Sequence, residues 1–423
     1  EMGDLFLWEW IFGCNAMFKK IYAYGVLFFA VVMSAPVQAE AGHGGHDMSK
    51  MWADMRSKPV GMAVSVAADE SGVLWLAQMK DGRIWVSHSE DDGKRFSDAV
   101  AVNAVPESIL AEGQNRPQIA VRKGVVVVAW SQALEKTFAG NIRFSRSINS
   151  GKTFSTPVTI NDVNDEVGHS FAALTMGGGG DIVLAWLDGR SKAEAKKSGK
   201  EYIGSSIYYV ISQDGGASFS ENKKLTDHSC ECCRIAITTN HNGVPIVFWR
   251  QLFDGGVRDF AFATISAYPS VVRASEDNWQ INACPHHGGD IATDEKGSLH
   301  LVWFTGSPKN PGLFYRRIDD EHRTLVHPFG NTDAQASYPT VLVSNKTVFI
   351  AWREFDGNQY KLMTMQSDDP RAERWSSPRA LASASGKTDI PMFVVNTQKP
   401  LLVWNSQESG LRVFNLDSAE RKP

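Results

Sequence analysis

The sequence predicts an all-β chain folded as a β-propeller of four-stranded antiparallel blades, with seven blades favoured over six. Three observations carry this. A strand-turn-strand unit, whose second strand is an apolar run ending in Trp, recurs through most of the chain. The recurrences are spaced by about 49 to 63 residues, near the period of a four-stranded blade. Several units also close their third strand with a Ser-x-Asp/Asn-x-Gly turn followed by an aromatic residue. The 36 Gly and 13 Trp in 423 residues suit short strands and tight turns better than long helices.

The elements follow in chain order. Met17-Phe18-Lys19-Lys20, an apolar run over residues 21–32, and Ser34-Ala35-Pro36-Val37-Gln38-Ala39 have the charged, apolar and small-residue parts of a secretory signal peptide. Residues 17–39 are therefore expected to be the signal, cleaved after Ala39, with residues 1–16 as an upstream extension. The apolar run is short for a bilayer span, and no later segment approaches the roughly 18 apolar residues such a span needs. The mature chain is expected to be periplasmic or secreted, with no transmembrane segment. Four cysteines remain after cleavage: Cys230, Cys232, Cys233 and Cys284.

Residues 40–58 read as a flexible His/Met-rich tail. His43, His46, Met48 and Met51 offer imidazole for Cu(II) and thioether for Cu(I); a plain polar tail is the competing reading. Residues 59–423 form the single repetitive domain. Trp130, Trp186, Trp249, Trp303, Trp352 and Trp404 end the second strands of six units, and a first copy over residues 73–78 carries Gln78 at that place. Seven units result.

The turns Ser89-Glu90-Asp91-Asp92-Gly93-Lys94-Arg95-Phe96, Ser147-Ile148-Asn149-Ser150-Gly151-Lys152-Thr153-Phe154 and Ser212-Gln213-Asp214-Gly215-Gly216-Ala217-Ser218-Phe219 resemble the Asp box, or BNR repeat, of the sialidase superfamily. Ser367-Asp368-Asp369 up to Trp375, and Ser275 up to Trp279, look like decayed copies. The boxes themselves are structural: an Asx side chain folds back on its own turn while Gly supplies a positive φ. The resemblance implies a propeller whose functional face lies opposite the boxes, where first strands begin and second strands end. That face receives Arg116-Pro117, His169-Ser170, residues 230–234, residues 284–289, Tyr338-Pro339 and Asp389. Second-strand ends add Asp188, Arg190, Arg250, Arg353 and Glu354.

All four mature cysteines fall on that face. Cys230, Cys232, Cys233 and Cys284, with His286, His287, His169 and His228 nearby and the tail residues as delivery or capping groups, form a candidate site for a soft metal ion. Copper is favoured and zinc is possible. The competing reading is two structural disulfides, which an oxidising compartment favours. The family resemblance implies a second chemistry, exo-sialidase or related glycoside hydrolysis. There Arg116, Arg250 and Arg353 would bind a carboxylate, Tyr338 would be the nucleophile with Glu354 as partner, and Asp188 would be the acid/base. Against this, an Arg after a strand Trp can simply stack on it, and Asn115-Arg116-Pro117 resembles the family's Arg-Ile-Pro motif with the Ile missing. A non-catalytic protein- or glycan-binding scaffold is the third class. The Lys- and Glu-rich insertion at residues 189–204 could cover the site or meet another exported or membrane protein. A net charge of −4, from 43 basic and 47 acidic residues, offers no field for a polyanion, so nucleic acid is not an expected partner.

Overall fold

The computed structural model describes residues 48–417 except 164, 165, 178, 320, 321, 370 and 398. The signal peptide, the upstream extension, His43 and His46 therefore lie outside the described residues. The regular structure among the described residues is almost entirely antiparallel sheet. The first unit is a four-stranded sheet, Ser65–Ala68, Leu74–Lys80, Arg83–Ser89 and Val100–Ala101. The second adds Ile109–Leu110 to Gln118–Arg122, Val125–Ala133, Gly140–Ser147 and Val158–Thr159.

The third and fourth units share one eight-stranded sheet. Its halves are His169–Met176 through Lys223–Ser229 and Ala236–Thr239 through Val272–Arg273. Lys223–Ser229 pairs with Pro245–Phe253 only at Ser229 and Gln251. Two four-stranded sheets follow, beginning with Asp290–Thr293 and Ser337–Ser344. The last sheet has three strands, Met392–Asn396, Lys399–Ser406 and Gly410–Asn415. Among the described residues, no early strand joins that sheet as a fourth. The first and last units meet through side chains and isolated backbone contacts instead. Val66, Leu74 and Leu76 share a core with Leu401 and Val403. The Val64 amide donates to Asp389 at 3.1 Å, and Asn405 Nδ2 donates to the Met62 carbonyl at 3.0 Å.

The second strands are apolar on both faces, as a fully enclosed strand must be, and each carries its buried Trp at the core. An enclosed indole N–H needs an acceptor. In three units the residue two positions on provides it: Asp188 for Trp186 at 2.8 Å, Gln251 for Trp249 at 2.6 Å, and Glu354 for Trp352 at 2.8 Å. Elsewhere Glu107 accepts from Trp130, Asp277 from Trp303, and the Asp389 carbonyl from Trp404.

The three Asp-box turns share one geometry. The Ser hydroxyl donates to the Asx side chain at 2.8 to 2.9 Å and accepts from the Gly amide at 2.9 Å. The glycines have φ of 82°, 72° and 83°. Each leans on the preceding unit: a Cβ on Gly151 would stand 2.5 Å from Trp75, one on Gly216 2.7 Å from Phe144, and one on Gly93 2.5 Å from Val413 of the last unit.

Part of the stretch expected as tail is helical. Residues 48–56 are a helix, α1 (Met48–Arg56). Trp52 is buried against Leu110 and Ala133, and its indole donates to the Leu134 carbonyl at 3.0 Å. The burial of one large aromatic residue outweighs the polar composition around it. The backbone of Met48 and Met51 thus belongs to this helix. A second helix, α2 (Arg190–Lys197), occupies the charged insertion. No helix among the described residues is long and apolar enough to cross a membrane.

Candidate metal centre

The centre is built where the third unit's last strand hands over to the fourth unit's first. The Cys230 amide donates to the Arg250 carbonyl at 2.8 Å, continuing the Ser229–Gln251 pairing. The chain then turns tightly through Glu231, Cys232 and Cys233. That turn folds sulfurs at positions i, i+2 and i+3 to one side. Cys230, Cys232 and Cys233 are 1%, 7% and 2% exposed and pack with Leu252. Their Sγ atoms all lie within 4.8 Å of one another, with 3.8 Å from Cys230 to Cys232 and 3.4 Å to Cys233. An ion at about 2.3 Å from each sulfur separates its ligands by roughly 3.8 to 4.0 Å. Small side-chain adjustments bring the three to that spacing.

All four described cysteines are free thiols, and Cys284 is exposed. It lies outside the group of three sulfurs, on a segment tied to the residue that follows them. Its segment is fixed by Gln114, whose Oε1 accepts from the Arg234 amide at 3.1 Å and the Gly288 amide at 2.6 Å, while its Nε2 donates to the His286 carbonyl. The approach leaves no space for a side chain at position 288, where a Cβ would stand 2.6 Å from Gln114 Oε1.

Two arginines, Arg250 and Arg258, stand close to Cys230. Arg258 Nη1 donates to Cys230 Sγ at 3.2 Å. Hydrogen bonds from Cys232 and Cys233, with the Arg250 charge nearby, hold the Cys230 thiol well below its ordinary range. Cys232 is pushed up by keeping the proton that it donates to Cys230, and burial pushes Cys233 up to about 12. The two neighbouring thiols and the arginine thus favour the thiolate form of Cys230 over the thiol. A thiolate is the ligand a soft ion needs.

The histidines stand apart from the sulfurs. Among the described residues, the group within 4.8 Å contains no imidazole. His169 is buried, with Nδ1 at 2.8 Å from the Gly140 carbonyl and Nε2 at 3.5 Å from Asp188. His228 stacks on Tyr202 and contacts the Ile203 carbonyl through Nδ1 at 2.9 Å. His286 is exposed, while His287 lies between Phe304 and Tyr338. Burial, aided by Arg250 and Arg353, pushes the His287 imidazole down to about 4.

The candidate sialidase groups are each engaged by the protein. Arg116 pairs with buried Asp389 at 2.7 Å and donates to the Val64 and Gly113 carbonyls. Arg250 donates to the carbonyls of Arg258, His287 and Phe304 and stacks over Phe260. Arg353 lies over Tyr338 and Tyr360 and donates to Thr388. Asp188 accepts from Trp186 and, through both oxygens, from Arg190. Glu354 accepts from Trp352 and the Asn331 amide. Burial pushes the Tyr338 phenol up, away from the phenolate.

Sequence reading passed over Gln114, Arg258 and the Lys192–Glu231 pair at 2.6 Å that ties α2 to the cysteine turn. Gln114 had a signal, lying in a polar turn just before a first strand. Arg258, the second residue of the third strand Val257–Thr264, had none.

No family model and no curated protein matches the chain. Solved structures do. A lectin from Burkholderia pseudomallei matches with a TM-score of 0.55 and 10% identity, over 85% of this chain and 95% of the lectin. A polysaccharide lyase described as an ulvan lyase matches at 0.53 and 10%, over 84% and 93%. An intramolecular trans-sialidase from Ruminococcus gnavus matches at 0.46 and 10%, over 88% and 97%. At this identity the likeness to the lectin and the lyase is one of fold: several antiparallel sheets in a propeller-like arrangement.

Proposed function

We propose that this chain is an exported, seven-bladed propeller of the sialidase-superfamily type that binds a soft metal ion through Cys230, Cys232 and Cys233. The ion is cargo, handled or delivered rather than used in a reaction. The observation that carries the reading is three buried cysteine sulfurs within 4.8 Å of one another. Copper as Cu(I) is favoured over zinc, because three sulfurs with no imidazole or carboxylate among them suit a soft ion of low coordination number. Seven closed blades are supported by the Gly93 turn leaning on the last unit as Gly151 and Gly216 lean on theirs. The decisive test is metal analysis of the natively purified protein with a free-thiol count. One ion per chain that protects the thiols, abolished by Cys232→Ser with Cys233→Ser, supports the reading. Absence of free thiols both with and without metal would establish disulfides instead.

A second reading, glycoside hydrolysis or glycan binding, is favoured by fold likeness to a lectin and a polysaccharide lyase. Release of sialic acid from a fluorogenic sialoside, eliminated by Tyr338→Phe and untouched by the cysteine pair, would establish it.

A further inference from the structure

The four thiols of the centre are not equivalent. Cys230, Cys232 and Cys233 come from one turn and are buried, whereas Cys284 comes from a segment more than fifty positions further on and is exposed. A buried three-sulfur pocket poses a transfer problem, because an ion bound there is out of reach of any external ligand. Cys284 is exposed, and its segment is tied at Gly288 to Arg234, the residue that follows the buried sulfurs. Its position is not accidental. Gln114, from the second unit, grips both cysteine segments at once through the amides of Arg234 and Gly288 and the carbonyl of His286.

We propose that Cys284 is the exchange ligand of the centre, the thiol through which a soft monovalent ion passes between an external soft donor and the buried sulfurs, and that Gln114 is its positioning residue. The inference rests on the metal-binding reading given above. On uptake, an S–Cu bond to Cys284 forms as the bond to the external ligand breaks, and the Cys284 proton leaves to solvent. Bonds from the ion to the Cys230, Cys232 and Cys233 sulfurs then form as the Cys284 bond breaks; the Cys232 proton passes to Cys284 and the remaining thiol protons leave to solvent. The ion remains Cu(I) throughout, so no electron moves. Release runs the same steps backwards. Because Cys284 is bonded only during transfer, its loss slows both directions alike and leaves the equilibrium in place.

The test uses Cu(I) with bathocuproine disulfonate, whose coloured complex reads both equilibrium competition and, in a stopped-flow instrument, transfer rates. Uptake of one Cu(I) by the wild-type protein, lost in Cys232→Ser, tests the metal-binding reading separately; if the wild type takes none, that reading fails first. With one ion bound, Cys284→Ser is expected to slow uptake and release by about tenfold or more while the competition midpoint stays within a few-fold. Gln114→Glu keeps the acceptor for both amides but loses the donor to His286, and is expected to slow transfer in the same direction by about tenfold, the usual scale for a residue that orients a ligand. Weaker binding with faster release in Cys284→Ser would make Cys284 a resident fourth ligand and overturn the proposal. Unchanged rates in Cys284→Ser would overturn it as well. Circular dichroism and tryptophan emission establish that each variant is folded.

Discussion

Replacing Asp188 by Asn asks whether this carboxylate holds the fold or performs chemistry. The side chain is fully buried and accepts from the Trp186 indole at 2.8 Å, the Arg190 amide at 2.9 Å, and Arg190 Nε and Nη2 at 3.0 and 2.9 Å. Asn keeps one acceptor oxygen but removes the negative charge and turns an NH2 toward an arginine or an indole. Breaking a buried ion pair in this way costs about 3 to 5 kcal/mol. Arg190 retains Asp162 at 2.7 Å and Asn222 at 2.8 Å, so the lower end, about 3 kcal/mol, is expected. The control is Asp162→Asn, whose side chain is 48% exposed and whose loss should cost at most about 1 kcal/mol. Urea unfolding followed by tryptophan emission measures both. A loss below about 1 kcal/mol for Asp188→Asn would refute the reasoning. If sialoside turnover were found and this variant abolished it at unchanged stability, the carboxylate would be catalytic.

Three further outcomes are expected. Gly151→Ala places a methyl group 2.5 Å from Trp75 at a φ of 72°, and should cost about 2 kcal/mol or more; Gly113→Ala, at a φ of 55° with nothing within 4 Å, should cost only about 1 kcal/mol, and equal urea midpoints would contradict the stagger of the turns. His287 is neutral in the folded protein down to about pH 4 but protonates near 6.5 when unfolded, so its contribution is fully present above pH 6.5 and is lost as pH falls toward 4; His287→Leu should flatten unfolding free energy against pH over that window, and an unchanged slope would argue against it. Trp52→Ala should release α1 and open residues 48–56 to limited proteolysis while the main urea transition moves little; resistance equal to wild type would show the helix is held by other contacts.

The repeat was legible because its signal is local. A fully enclosed strand must be apolar along its length, so runs ending in Trp130 or Trp186 announce themselves, and the Asp boxes carry their own hydrogen-bond partners within a few residues. The clustering of Cys230, Cys232 and Cys233 was legible for the same reason, being settled inside one turn. The roles of Asp188 and Glu354 were not read, although the signal existed: an acceptor two residues after a buried Trp recurs at Asp188, Gln251 and Glu354. Helix α1 was read as tail because its composition is polar, and one Trp reaching Leu110 and Leu134 decides otherwise. The partners of Arg116 and Arg250 depend on chain segments far apart in sequence, which no local pattern encodes.

The meeting of the first and last units bears on how the chain folds. Val64 and Asp389 are 325 positions apart and Arg116 and Asp389 are 273 apart. Closing such a loop costs about 1.7 kcal/mol more in chain entropy than closing one of about fifty residues. Units are thus expected to form in succession from either end, with this seam sealed last and setting the slow folding phase. Until then the apolar edges of Leu74, Leu76, Leu401 and Val403 stay open to water. A chain emerging from its amino-terminal end carries the first of these edges uncovered for almost the whole length of its synthesis, so the interval before sealing is when aggregation competes with folding.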